Sequence, residues 1–167
     1  MLQNYLYKLG WFVGLALFQV LVLNHVHIVG YATPFLYIFL ILKFESSVSR
    51  NALMLWAFFL GLVIDVFSDT PGMNAAATVL LAFLRPLLLR LFVPRETLDD
   101  LVPSIQTMGL TPFLKYVSLA VLLHHTMLLT LEFFSLAHYG ILLLRILASS
   151  LLTVACIMTL DGIYRKK

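Results

Sequence analysis

The sequence predicts an all-α polytopic membrane protein with six transmembrane helices. Of its 167 residues, 62% are hydrophobic and only 11% are charged, whereas a soluble domain carries roughly 25% charged residues. A soluble core of this length has no room for so much apolar surface, so the solvent for most of it must be lipid. The apolar residues form long runs, and most cations stand at the ends of those runs. We therefore treat residues 1–167 as a single integral membrane domain.

The first two predicted spans cover about residues 9–27 and 28–44. The first is long and apolar, and no clear small-x-small cleavage site follows it, so we expect an uncleaved anchor and not a signal peptide. The second is short, because Pro34 stands near its start and a crossing helix needs about 20 residues. We expect it either to begin before Pro34 or to thin the bilayer locally.

The third and fourth predicted spans, about 51–67 and 74–93, are joined by a tight turn. Pro71 presets φ and Gly72 tolerates positive φ, so the chain can reverse within a few residues. Gly61 allows close approach of a second helix. That approach serves packing within the chain or seats the transmembrane helix of a partner, and the sequence leaves both alternatives open.

Charged residues lie inside both helices of this hairpin. Asp65 falls in the third span and Arg85 in the fourth, and such side chains at hydrocarbon depth usually face inward because their exposure to lipid is costly. Asp65 and Asp69 stand one turn apart, which indicates either a hydrogen-bonded helix end or a functional site. Pro86 follows Arg85, so we expect a kink in the fourth helix.

The last two predicted spans are about 112–134 and 139–160, and the polar segment 94–111 precedes them. Apolar residues recur at near-helical spacing in that segment, which predicts a short amphipathic helix, broken at Pro103, on the cytoplasmic membrane surface. Only four residues link the last two spans, so we expect those helices to be antiparallel neighbours.

The cations predict the orientation of the chain. With six spans, the Lys and Arg residues at the span ends all fall on one side, whereas residues 28–33, 68–73 and 135–138 contain neither. Cytoplasmic loops carry an excess of Lys and Arg, so both termini are predicted to be cytoplasmic. A five-span arrangement would scatter the cations over both sides, which favours counting the short second span.

Four further polar residues within the spans allow several interpretations. His125 and Glu132 are seven apart and share nearly one helix face, which would suit a proton relay of a catalytic or transport site. Glu132 and Arg145 flank the last link, where a structural ion pair is the plainer interpretation. His124 and His125 are adjacent and diverge, no third ligand is placed and Cys156 is alone, so neither a metal site nor a cofactor is predicted.

Residues 61–86 (GLVIDVFSDTPGMNAAATVLLAFLRP) resemble the MreD family of bacterial rod shape-determining membrane proteins. That family carries a Gly-x-x-x-Asp segment, a short turn with Pro or Gly, and then an apolar helix that opens with a polar residue. Here those positions are Gly61, Asp65, Pro71–Gly72 and Asn74. The chain length, the span count and the basic ends also fit. The sequence departs at Asn74, where many members have His, and in its Arg85–Pro86 pair.

The resemblance implies a non-enzymatic scaffold subunit of the cell-elongation (rod) complex in the bacterial cytoplasmic (inner) membrane. Such proteins bind MreC, which has one membrane span, and act indirectly with an MreB-like filament and the enzymes of peptidoglycan synthesis that set cell shape. No cofactor and no nucleic acid are expected, and a homo-oligomer stays open. The expected partner-binding residues are Gly61, Asp65, Asp69, Pro71, Gly72, Asn74 and Arg85.

Two other functions compete with the scaffold. The family also looks distantly like the substrate-binding subunits of energy-coupling-factor vitamin transporters, which are six-helix proteins of similar size. The alternative function is therefore a substrate-binding subunit of a small-molecule transporter. The third is an intramembrane enzyme that uses His125 and Glu132, although no complete catalytic constellation is recognisable in the sequence.

Overall fold

The computed structural model describes residues 2–26, 32–94, 97–98, 100–133 and 139–164. Five long helices dominate this part of the chain: α1 (Leu2–Leu21), α3 (Arg50–Ser68), α4 (Met73–Phe92), α6 (Leu110–Glu132) and α7 (Tyr139–Tyr164). Two short helices, α2 (Phe39–Lys43) and α5 (Ile105–Met108), and two 3₁₀ turns, Leu23–His25 and Leu36–Ile38, complete the regular structure of these residues.

The predicted all-α fold is confirmed, and the long helices are those of a multi-pass membrane protein. Each has the length and the apolar composition needed to cross a membrane. Their outer faces carry large exposed apolar side chains, among them Leu21, Val66 and Leu151, each more than 60% exposed. Lipid is the solvent that such faces require, because many large apolar side chains exposed on long apolar helices are unfavourable in water.

The predicted second span is not among these long helices. Residues 32–35 are extended, and only the turn Leu36–Ile38 and the short helix α2 follow. Residues 27–31, where the predicted span begins, lie outside the described residues. Pro34 explains the late start of the helix, because proline lacks a backbone N–H and disfavours helical geometry in the residue before it.

Residues 32–44, hereafter the buried segment, lie in the core although five of these thirteen residues are not helical. Tyr37, Ile38 and Ile41 are completely buried. The side chain of Gln19 pairs twice with this segment: its amide nitrogen donates to the Pro34 carbonyl (2.9 Å) and its oxygen accepts from the Leu36 N–H (2.8 Å). Irregular backbone at membrane depth is tolerated only where protein satisfies it, and Gln19 does so here.

Helix α7 satisfies two further backbone groups of the unwound stretch. The Thr33 N–H donates to the Ser149 hydroxyl (3.1 Å), and the Phe35 N–H donates to the Thr153 hydroxyl (3.0 Å). Three side chains from two helices therefore replace the hydrogen bonds that a regular helix would have made within itself.

Two ion pairs locate the C-terminal end of the buried segment, and so indicate how far the segment extends along the helix bundle. Lys8 lies 3.4 Å from Glu45, and Lys43 lies 2.6 Å from Asp161, so these ends of α1, the segment and α7 meet. On α1, Gln19 is eleven residues beyond Lys8, which corresponds to about 17 Å of helix. The segment therefore rises through about half of a hydrocarbon core of ~30 Å.

The polar segment 94–111 forms less helix than expected. Among the described residues of this segment that precede α6, α5 is the only α-helix. It has four residues, begins shortly after Pro103 and is capped by Ser104. The N–H of Ile105 donates to the carboxylate of Asp161 (2.9 Å), so this segment lies at the same end of the bundle as Lys8 and Lys43.

Candidate functional site

Asp65 is buried, and its carboxylate caps the start of the next helix. It is 3% exposed. One oxygen accepts from the backbone N–H of Asn74 (2.9 Å) and the Thr70 hydroxyl (2.9 Å), and the other accepts from the Ala75 N–H (2.9 Å). The first N–H groups of a helix have no partner within it, and a carboxylate there is favoured by the helix dipole. Of the two interpretations of Asp65, the structure thus shows the hydrogen-bonded helix end.

The turn between α3 and α4 presents a different set of residues to the surroundings. Asp69 ends α3 at φ 54° and Gly72 precedes α4 at φ 80°, both in the left-handed region. Asp69, Pro71 and Gly72 are exposed, whereas the predicted site residues Gly61, Asp65, Asn74 and Arg85 are buried. The partner-binding set predicted from the sequence therefore divides into three residues that a partner can touch and four that it cannot reach.

Gly61 lets α3 and α4 touch through their backbones. A Cβ atom at this position would lie 2.5 Å from the Cα atom of Ala75 and 2.5 Å from the Thr78 hydroxyl. The same hydroxyl lies 2.6 Å from the Asn74 carbonyl of its own helix and 3.0 Å from the Ala57 carbonyl of α3, so it stands between the two helices. Of the two uses foreseen for this glycine, packing within the chain is the one the structure shows.

A hydrogen-bonded chain runs inward from the capped helix end. The amide nitrogen of Asn74 donates to Asp65 (3.1 Å) and Thr70 (3.0 Å), so its oxygen accepts from the Tyr37 hydroxyl (2.7 Å). The Tyr37 oxygen lies 3.0 Å from Nε2 of His124, which places the proton of that ring on Nε2. Four elements, namely α3, α4, the buried segment and α6, are thereby joined through polar groups in the core.

The adjacent His125 does not belong to this hydrogen-bonded chain, because both of its ring nitrogens have other partners. Its Nδ1 donates to the Val121 carbonyl (2.9 Å), and its Nε2 accepts from the Thr153 hydroxyl (3.1 Å). No hydrogen bond joins His125 to Glu132 in the described part of the chain. Seven residues correspond to about 10 Å of rise, so a shared helix face does not bring the two side chains together.

Arg85 is 1% exposed and serves the end of α2. Its Nε donates to the Tyr116 hydroxyl (3.2 Å), and its Nη2 donates to the carbonyls of Leu42 (3.3 Å) and Phe44. The last carbonyls of a helix lack partners and carry partial negative charge, so a cation suits them. Arg85 therefore holds the buried segment in place, and α4 runs on through Pro86 without a break in its helical assignment.

A polar cavity of about 300 Å³ opens at the end of the bundle opposite Lys8 and Lys43. All five long helices or their ends contribute to its wall, together with the start of the buried segment. Among the described residues, its polar lining includes His25 together with Asn24, Thr33, Ser68, Thr70, Asn74 and Ser149, and its charged lining includes Glu132 and Arg145.

Glu132 and Arg145 thus face one cavity, as expected for residues that flank the link between α6 and α7. No ion pair between these two side chains is found among the described residues. The guanidinium carbon of Arg145 lies 4.5 Å from the ring centre of Phe133. The predicted ion pair between them is therefore not seen.

The sequence did not predict three polar residues that make hydrogen bonds in the core, namely Gln19, Tyr37 and Thr153. Gln19 stands alone in an otherwise apolar run from Phe12 to Leu23, and an isolated amide in such a run is the signal that could have revealed it. Tyr37 and Thr153 gave no comparable signal, because Tyr and Thr are ordinary in apolar helices.

The fold and the site define a polytopic helical membrane protein with a capped helix hairpin in its core and a polar cavity at one end. In the residues that the structure describes, no group of three or more His, Cys, Asp or Glu side chains is placed to hold a metal ion. No protein-family model, curated protein or solved structure matches the chain.

Proposed function

We propose that this chain is a non-enzymatic scaffold subunit of a bacterial cell-elongation (rod) complex, as its resemblance to the MreD family implies. In this proposal it lies in the cytoplasmic membrane, binds an MreC-like single-span protein and helps to position peptidoglycan synthesis. One observation carries the proposal: the residues that carry the resemblance lie where α3 and α4 contact each other. Gly61 admits the backbone of α4, and Asp65 binds the backbone N–H groups of Asn74 and Ala75.

The proposal includes six membrane passes with both termini in the cytoplasm. The buried segment is the second pass, and the protein around it takes the place of a full helix. Two observations support this arrangement. The ion pairs Lys8–Glu45 and Lys43–Asp161 gather cations from α1 and α2 at one end of the bundle. Residues 68–73, which link α3 to α4, contain neither Lys nor Arg.

The surface that a partner can touch is the exposed turn and the apolar residues beside it. Asp69, Pro71 and Gly72 are exposed, and Val66 and Phe67 on the last turn of α3 are 72% and 63% exposed. Aromatic and apolar anchors next to a polar rim are typical of protein interfaces. The buried members of the predicted set act by fixing the position of this turn.

Recovery of partners from native membranes tests the scaffold. The tagged chain is purified in mild detergent, and proteins are identified by mass spectrometry. We expect one stoichiometric single-span protein with wall-synthesis enzymes. Asp69→Lys should reduce its recovery, whereas Asp69→Asn, which preserves the left-handed backbone, should reduce it less. Ser47→Lys, an exposed change at the other end of the bundle, is the matched control. Equal recovery with all variants would remove the turn from the interface.

A second candidate is a substrate-binding subunit of a small-molecule transporter, and the polar cavity specifically favours it. Pockets of about 300 Å³ and more with convergent polar groups are the usual ligand sites of proteins. A transporter of this kind needs separate energising subunits. Co-purification of an ATPase pair in place of a single-span partner would replace the scaffold with this function.

A further inference from the structure

We propose that one glycerophospholipid binds along helix α1, with its phosphate beside Lys8 and one acyl chain in an apolar groove that passes Gly10 and Gly14. The site consists of two adjoining cavities, of about 260 Å³ and about 530 Å³. It goes beyond the scaffold role, which needs no lipid as a specific ligand. It is also separate from the polar cavity, which opens at the opposite end of the bundle.

The smaller cavity, hereafter the head pocket, lies at the end of the bundle where Lys8 and Lys43 form their ion pairs. Tyrosine and tryptophan are enriched where a membrane meets water, because each side chain has an apolar body and a polar tip. A wall that combines such rings with charged groups is therefore typical of a site at the level of lipid headgroups. The described wall of the head pocket includes Tyr7, Lys8, Trp11, Lys43, Phe44 and Glu45.

The larger cavity, hereafter the chain groove, continues from the head pocket towards the middle of the membrane. Tyr7 and Trp11 line both cavities, so the two share a wall. A molecule that fills both must be polar at one end and hydrocarbon at the other, because the remaining described residues of the groove have no polar side-chain atoms. These residues are Gly10, Gly14, Leu15, Phe18, Leu36 and Leu160.

The length of the site corresponds to one leaflet of a bilayer. From Tyr7 to Phe18 the helix advances eleven residues, or about 17 Å, which is close to half of a hydrocarbon core of ~30 Å. The groove reaches Leu36, whose N–H is bound by Gln19 of α1. The transmembrane helix of a partner crosses both leaflets and needs about 20 residues, whereas an acyl chain occupies one leaflet. The dimensions therefore favour a lipid over a helix.

Two glycines on α1 keep the chain groove open. Gly10 and Gly14 are four residues apart and so share one side of the helix, and no atom of another described element lies within 4 Å of a Cβ built at either position. The groove nevertheless reaches the core, because Leu15 and Leu36 in its wall are only 6% and 5% exposed. It is therefore an indentation in the bundle that a hydrocarbon chain fits, and not a flat helix surface.

Lys8 provides the contact for the phosphate. Its ammonium lies 3.4 Å from Glu45 and 5.2 Å from the centre of the Phe44 ring. An ammonium has three donors, so a single carboxylate does not use them all, and lysine binds phosphate as a point charge. Lys43, on the same wall, is bound to Asp161 (2.6 Å). A phosphodiester beside Lys8 is therefore compatible with both ion pairs of this end of the bundle.

Quenching of tryptophan fluorescence tests the site, because Trp11 lines both cavities. Trp56 is the only other tryptophan of the sequence, so Trp56→Phe leaves Trp11 as the sole fluorophore. The full chain is placed in phosphatidylcholine nanodiscs with increasing fractions of a lipid that carries brominated acyl chains. That lipid is phosphatidylglycerol or, with the same chains and no phosphate, diacylglycerol. We expect the relative binding constant of phosphatidylglycerol to be higher by about threefold or more.

Four variants separate the acyl chain from the headgroup. Gly14→Leu fills the groove without meeting another described element, so quenching by both lipids should fall about twofold or more. Val13→Leu, an exposed change on the same helix, should leave both unchanged. Lys8→Gln should abolish the preference for the phospholipid and keep quenching by diacylglycerol. Glu45→Gln breaks the same ion pair but retains the ammonium, so it should preserve that preference. A merely structural role of the ion pair would make the last two variants alike.

Three results would overturn the proposal. Equal binding of phosphatidylglycerol and diacylglycerol to the wild-type chain would reduce the site to ordinary solvation of α1 by lipid. Unchanged quenching in Gly14→Leu would place the acyl chain outside the groove. Competition by inorganic phosphate, which we expect to leave the quenching unchanged, would replace the lipid by a soluble anion.

The same variants distinguish this site from the scaffold. Recovery of a single-span partner from native membranes is expected to be unchanged with Gly14→Leu, whereas Asp69→Lys should lower it and leave the quenching of Trp11 unchanged. Loss of the partner in Gly14→Leu without loss of lipid quenching would assign the groove to a transmembrane helix and refute the lipid site.

Discussion

Replacing Gly61 by alanine is expected to force the central helix pair apart. The added Cβ would lie 2.5 Å from the Cα atom of Ala75 and from the Thr78 hydroxyl, whereas carbon atoms pack at about 3.5–4.0 Å. The obstacle at Ala75 is backbone and cannot rotate away, so α3 and α4 must separate locally by about 1 Å. Overpacking of this kind costs about 1–3 kcal/mol.

The upper part of that range is expected, because the Asp65 cap depends on the same helix spacing. Asp65 stands one turn beyond Gly61 and binds N–H groups at the start of α4 at 2.9 Å. A shift of the two helices stretches these bonds while the first turn of α4 stays buried. We therefore expect Gly61→Ala to lower the free energy of unfolding by about 2–3 kcal/mol.

Gly14→Ala provides the matched control, because nothing lies within 4 Å of a Cβ at that position on α1. Alanine is favoured over glycine inside a helix by about 0.5–1 kcal/mol, so this variant should be as stable as the wild type or more stable. Stability is measured by reversible denaturant titration in mixed micelles with circular dichroism. If Gly61→Ala fell within about 0.5 kcal/mol of Gly14→Ala, the backbone contact of α3 and α4 would not be limiting.

The remaining predictions concern the buried polar groups and use the same titration. Asp65→Leu leaves two backbone N–H groups of α4 without acceptors, so a loss of about 2–5 kcal/mol is expected, and a smaller loss for Asp65→Asn, which keeps one acceptor oxygen. Arg85→Met removes the donors that hold the end of α2 and should cost about 2–4 kcal/mol; an unchanged midpoint would show that water replaces the guanidinium. Tyr37→Phe breaks the link between Asn74 and His124, with an expected loss of about 1–3 kcal/mol, and a neutral result would mean that the link contributes no stability.

The hairpin of α3 and α4 shows which local features can be predicted from the sequence. A buried acid near a Pro-Gly turn, followed by a helix start, predicted both the turn and an inward-facing Asp65 because these are effects of a few neighbouring residues. The sequence also suggested that the same residues form a partner-binding set. Exposure divides that set, and exposure depends on every helix packed around the hairpin.

The second span shows where local patterns fail. Its apolar run resembles a short transmembrane helix, but Pro34 delays the helix until the 3₁₀ turn at Leu36. Whether the unwound part is tolerated depends on hydrogen bonds from residues distant in the sequence. Gln19 lies 15 residues away from Pro34, and Thr153 lies 118 residues away from Phe35. A short stretch of sequence therefore cannot contain both residues of such a hydrogen bond.

The sequence by itself determined the solvent, the helical class and the sequence positions of four of the five long helices, since apolar content and run length are additive properties of the chain. The prediction for the first span, about 9–27, was displaced, because α1 runs from Leu2 to Leu21. The sequence also placed charges in the interior. The tertiary structure alone decided what the charges within the predicted spans do: the buried Arg85 holds the end of α2 and the buried Asp65 caps α4, whereas the exposed Glu132 and the half-buried Arg145 face a common cavity. The physical reason is that hydrogen bonds and charge pairing act over about 3–4 Å, so their partners are known only once distant segments have packed.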